Sequence, residues 1–419
     1  MTPDRAGSAY VAVTAAYWAF MLTDGALRML VLLHFHTLGF SPVELAYLFV
    51  LYEIAGVVTN LTAGWIAARF GLTSTLYAGL ALQIAALLAL AQLDPGWAVG
   101  ASVIFVMAVQ GASGVAKDLA KMSAKSAVKL LAPAEQGGLF RWVTVLTGSK
   151  NAVKGLGFLL GAVLLGWIGL SAAVLSMAAV LTVILVLVMS LMPRGLPTGR
   201  KDAKFKDVFS KNRNINWLSF ARVFLFAARD VWFVVGIPIY FYSVLSDGSE
   251  AGNRAAFFTI GSFMALWVIL YGGVQASAPR LLNAKARDEK DMIASAQRWA
   301  TMLVFVPALL AAIVFATNGP APWLTICLVV GLLVFGGIFA INSALHSYLI
   351  LAFSTGERVT MDVGFYYMAN AAGRLLGTVL SGLSYQLGGL PLCLGTAAAL
   401  LMLSAFGVAR LRGAQMQTT

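Results

Sequence analysis

Six basic side chains stand inside strongly apolar sequence. Arg28 lies in FMLTDGALRMLVLL, Lys150 and Lys154 in TGSKNAVKGLGFLLG, Arg222 and Arg229 in ARVFLFAARDVWFVV, and Arg374 in NAAGRLLGTVLSGL. A charge at membrane depth costs about 2.5–3.5 kcal/mol unless it meets a partner or a wet cavity. Lys150 and Lys154 are four apart and share one helix face, with Thr147, Ser149 and Asn151 interleaved. Arg374 follows Tyr366, Tyr367 and Asn370, and all four suit one face of a helix. Guanidinium makes bidentate contact with phosphate or carboxylate, whereas lysine acts as a point charge. These residue types point to recognition of a multiply charged anion, with Lys150, Lys154, Arg374, Arg229, Arg28, Lys117, Asn151, Tyr367 and Asn370 as candidate contacts.

The acids in the same segments are Asp24, Glu53, Asp118 and Asp230. Each serves either as a counterion that keeps a neighbouring base charged or as a proton-coupling group. Asp24 and Arg28 are four apart, which allows a pair within one helix. Arg229 and Asp230 are adjacent and point differently, so each is expected to have another partner. Glu53 has no neighbour in sequence to neutralise it and is the foremost coupling candidate. His346, in FAINSALHSYLI, has a suitable ordinary pKa for coupling but also suits a packed, hydrogen-bonded position. Lys117, Lys121 and Lys125 form a stripe at four-residue spacing. Lys125 and Lys129 read as a solvated helix end, while Lys117 beside Asp118 fits a cavity or a solvated face equally.

The elements that must carry these residues are membrane helices. The chain has 419 residues, 60% of them hydrophobic and only 11% charged, which excludes a soluble globular protein. Apolar stretches near the ~20 residues needed to span the hydrocarbon core recur along the whole length, about twelve in all. No alternating short segments suggest a β-barrel. The net charge of +12 is placed asymmetrically. Alternate loops hold Arg69, Lys125 with Lys129, the run Arg194 to Arg213, Arg280 to Arg298, Arg358, and Arg410 with Arg412, while the opposite set holds Arg254 alone. The positive-inside rule then puts both termini in the cytoplasm, and the basicity is not a nucleic-acid footprint. Cys327 and Cys393 lie in apolar spans without metal spacing and read as packing residues. No Walker loop, GxSxG or HExxH is present, so neither an enzyme, a metal nor a cofactor is expected.

The polar stretch MPRGLPTGRKDAKFKDVFSKNRNIN divides the chain nearly in half. It suggests a six-helix bundle over 1–192, a basic cytoplasmic linker over 193–215, and a second bundle over 216–419. The halves show internal matches. Asp24 in YWAFMLTDGALRMLV aligns with Asp230 in RVFLFAARDVWFVVG, and the stretch Ala152 to Gly157, containing Lys154, aligns with Ala372 to Gly377, containing Arg374. A six-plus-six duplication is the plan of the major facilitator superfamily, where substrate binds near the midplane between halves. Gly64-Trp-Ile-Ala-Ala-Arg69-Phe-Gly71 resembles that superfamily's loop motif, departing from it at Ala68 and Leu72. The fold class expected is an all-α polytopic membrane protein of two pseudo-symmetric bundles.

Several longer stretches resemble the ArsJ family of organoarsenical efflux permeases. They are YWAFMLTDGALRMLVLLHFH, YEIAGVVTNL, AKDLAKMSAKS, RWVTVLTGSKNAVKGLGF, ARDVWFVVGIPIY, NSALHSYLI and DVGFYYMANAAGRLLGTVLSG, spread over nearly the full length. The resemblance implies 1-arseno-3-phosphoglycerate as substrate, arsenate resistance as outcome, and a glyceraldehyde-3-phosphate dehydrogenase as the functionally paired enzyme. An organophosphate–phosphate exchanger, or a carrier of another organic anion, needs the same basic residues and stays open. A monomer in the lipid bilayer is expected.

Overall fold

The computed structural model describes residues 3–131, 138–192, 210–282, 288–317, 319, 321–354 and 359–412, without the side chains of 3–10, 63–64, 67–68, 72, 125–148 and 359–361. Most of the expected linker, and the Lys125 and Lys129 side chains, therefore lie outside the described residues. All regular structure among the described residues is helical: α1 Pro3–Thr37, α2 Pro42–Tyr47, α3 Val50–Leu90, α4 Val99–Leu131, α5 Gly138–Leu191, α6 Arg213–Phe233, α7 Gly236–Leu245, α8 Glu250–Leu281, α9 Glu289–Ala316, α10 Pro322–Phe353 and α11 Val359–Ala409. In hydrocarbon, intrahelical bonding is the way a lone segment satisfies its backbone, so the apolar runs become helices.

Among the described residues, ten segments are long and apolar enough to cross a membrane. Two of them, Ser149–Leu191 with 43 residues and Asp362–Ala409 with 48, are too long for one crossing of a ~30 Å core. Each is broken at a glycine in the left-handed region, Gly169 (φ 74) and Gly389 (φ 61), a conformation cheap for glycine and costly for other residues. Counting both pieces gives the twelve crossings that the hydropathy pattern predicts. Large apolar side chains such as Trp167, Phe305 and Phe315 are exposed, as a surface solvated by lipid tails requires.

Contacts group the chain into two units. The first comprises Met1–Gly39, Thr62–Lys206 and Ser246–Val268; the second comprises Phe40–Leu61, Asp207–Leu245 and Ile269–Thr419. The units follow contact and not chain order, because a short helical stretch from each half joins the other grouping.

Within the first unit, α1 and α5 approach closely. A methyl added to Gly157 would collide with the Leu22 carbonyl oxygen, and one on Gly161 with that of Ala26. Within the second unit, α6 and α11 do the same, Gly377 lying against the Ala227 carbonyl and Gly373 against that of Val223. Small residues let helix backbones meet where no hydrophobic effect drives association. These two crossings set the depth at which the embedded charges meet.

Candidate functional site

In the first unit, the α1–α5 crossing brings Lys154 to Asp24: Nζ donates to Oδ2 at 2.6 Å. Asp24 is almost fully buried, while Lys154 keeps 18% side-chain exposure. Five residues earlier on α5, Ser149 accepts a 2.9 Å hydrogen bond from the Trp18 indole, and Lys150 and Asn151 follow it in the chain. Both of these side chains are half-buried, as is Arg28 one turn beyond Asp24. On α4, Asp118 is buried and holds two bases, Lys121 at 3.3 Å and Lys117 at 3.9 Å. The expected Lys117–Asp118 partnership is therefore present, with Lys121 the nearer base.

In the second unit, the α6–α11 crossing brings Arg374 to Asp230 at 3.7 Å. This repeats the Asp24–Lys154 pair at the positions that the internal alignment equates. Arg374 also donates through Nη2 to Glu53 Oε1 at 2.6 Å and lies over the Tyr52 ring. Glu53, which has no neutralising neighbour in sequence, thus meets an arginine 321 residues away.

The expectation for Arg229 and Asp230 is corrected. Arg229 Nε donates to Asp230 Oδ1 at 2.6 Å, so these chain neighbours pair directly. Adjacent side chains leave a helix about 100° apart, but the arginine stem is long enough to fold back along the helix surface. Asp230 does have the second partner expected of it, Arg374. The Arg229 guanidinium also stands over Phe226, Phe339 and Phe233, at 4.9, 5.7 and 5.9 Å from their centroids. Four charges then form one chain: Glu53, Arg374, Asp230 and Arg229.

Tyr367 and Asn370 are half-buried on α11, and Asn370 Oδ1 is buried with no donor among the described residues. Tyr366, expected on the same face, is instead fully buried against Arg222. His346 is also fully buried, and neither ring nitrogen has a hydrogen-bond partner among the described residues. It lies one turn along α10 from Ser343, which accepts from Arg222. Sequence reasoning names Arg222 as an embedded base but gives it no role; its spacing of seven from Arg229, two turns on one helix face, is the signal that could have done so. Cys393 packs against Ser384 and Ser381. No group of His, Cys, Asp and Glu with metal-site geometry occurs among the described residues.

The Major Facilitator Superfamily model matches residues 12–350. No match is found among curated protein sequences. A mutant of the nucleoside transporter NupG is similar in structure, with TM-score 0.69 at 16% identity, covering 97% of this chain and 100% of that one. A POT family transporter in complex with a thioalcohol conjugated peptide gives TM-score 0.71 at 14% identity, covering 96% and 94%. A bacterial homologue of the iron transporter ferroportin, in an inward-facing state, gives 0.68 at 13%, covering 96% and 98%. At such identities the likeness speaks for fold, and the family match carries the assignment. The chain belongs to the Major Facilitator Superfamily and is a membrane transporter of small-molecule substrates, not an enzyme.

Proposed function

We propose that this transporter exports an anionic organoarsenical, 1-arseno-3-phosphoglycerate, by alternating access, and so confers arsenate resistance. The observation that carries the anion reading is the set of basic side chains gathered at the helix crossings. Arg28, Lys117, Lys121, Lys150 and Lys154 stand in the first unit, and Arg229 and Arg374 in the second. Such N–H donors bind the oxygens of a phosphate, arsenate or carboxylate group. The choice of substrate rests on the stretches that resemble the ArsJ family, and the paired enzyme is then a glyceraldehyde-3-phosphate dehydrogenase that builds the arsenylated ester.

The ion pairs give this reading a mechanism. An empty carrier must keep its bases charged at depth, and a carboxylate partner does so. Asp24 on Lys154, and Glu53 with Asp230 on Arg374, hold that role until an oxyanion competes for the same N–H donors. Lys150, Asn151, Tyr367 and Asn370 then serve as neighbouring contacts, with Arg28, Lys117 and Arg229 as further positive charge. The alternation of basic loops supports an inner-membrane location with both termini in the cytoplasm.

Moving one charge through 100 mV is worth about 2.3 kcal/mol. An anion of charge near minus three leaving an inside-negative cell gains roughly 7 kcal/mol by the same arithmetic. Potential-driven uniport is therefore sufficient on energetic grounds. Proton antiport would act through Glu53 or Asp24.

The test is arsenic export from an arsenate-sensitive bacterial host lacking its own supply of the ester. The chain is expressed alone and beside a glyceraldehyde-3-phosphate dehydrogenase. Export that appears only with both supports the arsenylated product as substrate. Export from the chain alone identifies arsenate itself. No export in either case, with the protein in the membrane, overturns the reading and leaves an organophosphate exchanger or another organic-anion carrier.

A further inference from the structure

Arg222 lies on α6 and is only 4% exposed. Among the described residues no carboxylate lies within ion-pair distance of it, in contrast to Arg229 and Arg374. Asp362, the buried acid one turn from Tyr366 on α11, makes no such pair either. The Arg222 guanidinium carbon stands over the Phe226 ring at 4.1 Å from its centroid and over Tyr366 at 4.8 Å. Aromatic contacts cover the planar cation but leave its in-plane N–H donors available. Of those donors, Nη1 reaches the Ser343 carbonyl at 3.3 Å and the Ser343 hydroxyl at 3.1 Å. Nε is buried with no acceptor among the described residues.

The groups around it complete a pattern. Gln275 Nε2 donates to the same Ser343 hydroxyl at 3.3 Å. His346, one turn further along α10 from Ser343, is fully buried, with both ring nitrogens unpartnered among the described residues. The cluster therefore offers an arginine fork, a hydroxyl, an amide and an imidazole, with no carboxylate in contact. A metal cation or an ammonium group would be repelled there. A planar or tetrahedral oxyanion would satisfy the orphaned donors.

We propose that Arg222, with Ser343, Gln275 and His346, forms an oxyanion-binding subsite for a phosphate, arsenate or carboxylate group of the transported molecule, an inference that rests on the anion reading above. It lies two helical turns from Arg229 on one face of α6, about 10 Å along the axis, towards the end joined to the basic segment 194–213. An anion held at Arg374 and Arg229 has a second cation to step to on the same helix.

The test uses the purified full-length protein and inorganic phosphate as probe, with 3-phosphoglycerate in parallel, reading melting temperature against anion concentration. Phosphate is expected to raise the wild-type midpoint. Arg222→Gln should need at least tenfold more phosphate for the same rise, while melting no lower than wild type without it, because an uncompensated buried cation has been removed. Should that variant not yield folded protein, Arg222→Lys retains charge without the fork and is expected to show a weakened response of the same kind. Absence of any wild-type rise overturns the subsite. So does a variant that melts lower without anion yet keeps wild-type half-saturation, since that describes a structural arginine. Arsenic export separates the two proposals. Export that survives Arg222→Gln but not Lys154→Ala sinks the subsite and leaves the substrate reading. An Arg222-dependent phosphate response in a protein that exports no arsenic sustains the subsite and sinks the substrate.

Discussion

Among the described residues, the first unit holds its crossing-point cation, Lys154, against one carboxylate, whereas the second holds Arg374 between two. The Asp24–Lys154 and Asp230–Arg374 pairs occupy aligned positions on helices that cross through matched glycines, so they form one device present twice. What differs is the company. Glu53, from the stretch Phe40–Leu61, adds an acid to the second unit, and Arg229 adds a base, leaving four charges that cancel. In the first unit the acids are held apart, Asp24 facing Lys154 and Asp118 facing Lys121 and Lys117. The difference indicates a division of labour under the proposed function. The separate pairs of the first unit yield single bases to an anion, whereas the network of the second must open a carboxylate–arginine contact.

Removal of one partner from the closed network is the strongest way to break this comparison. Arg374→Ala removes the arginine that the buried Glu53 and Asp230 share, and stripping one member from a buried pair costs about 3–5 kcal/mol. Export should fall at least a hundredfold, with a clear drop in melting temperature. Lys154→Ala leaves Asp24 with Arg28 one turn along the same helix. Its export should fall ten- to a hundredfold with a smaller drop in melting temperature. Transport assays and melting curves on both variants check this. Equal destabilisation would show that the second carboxylate does not set the two units apart. Unchanged export in both well-expressed variants would remove these cations from the transport path.

The fold was legible because spanning helices need long apolar runs, and the duplication was legible because charges inside such runs are few and expensive. Asp24 with Asp230, and Lys154 with Arg374, could be aligned on that ground alone. The Glu53–Arg374 contact was not legible, since it joins helices separated by more than three hundred residues with no shared pattern. Adjacency misled for Arg229 and Asp230, because backbone direction says little about where a four-bond side chain ends. His346 and Arg222 stood in sequence as isolated polar residues; only the packing of α6, α8, α10 and α11 gathers them.

The matched glycines provide a smaller, symmetric check. Gly157→Ala and Gly377→Ala each place a methyl against a backbone carbonyl of the facing helix, Leu22 in one case and Ala227 in the other. Neither backbone can yield without parting the helices, and overpacking of this kind costs about 1–3 kcal/mol. The two variants should lose similar stability. A large inequality would show that the crossings are not equivalent, and the alignment of Lys154 with Arg374 would lose its structural basis.

Exchange of the two cations sharpens the comparison with the least disturbance. Arg374 contacts two different carboxylates, Glu53 through Nη2 and Asp230 through Nε, a division that suits a rigid fork and not a single ammonium. Arg374→Lys keeps the charge but satisfies one acid well at most, so export should fall about tenfold. Lys154 serves one acid, so a point charge suffices and Lys154→Arg should change export by no more than a few-fold. Bulk at the tight α1–α5 crossing is then the main cost. If Lys154→Arg proves the more damaging substitution, the fork at Arg374 is not what distinguishes the second unit. Its difference would then lie in Glu53 alone, as the acid that an arriving anion must displace.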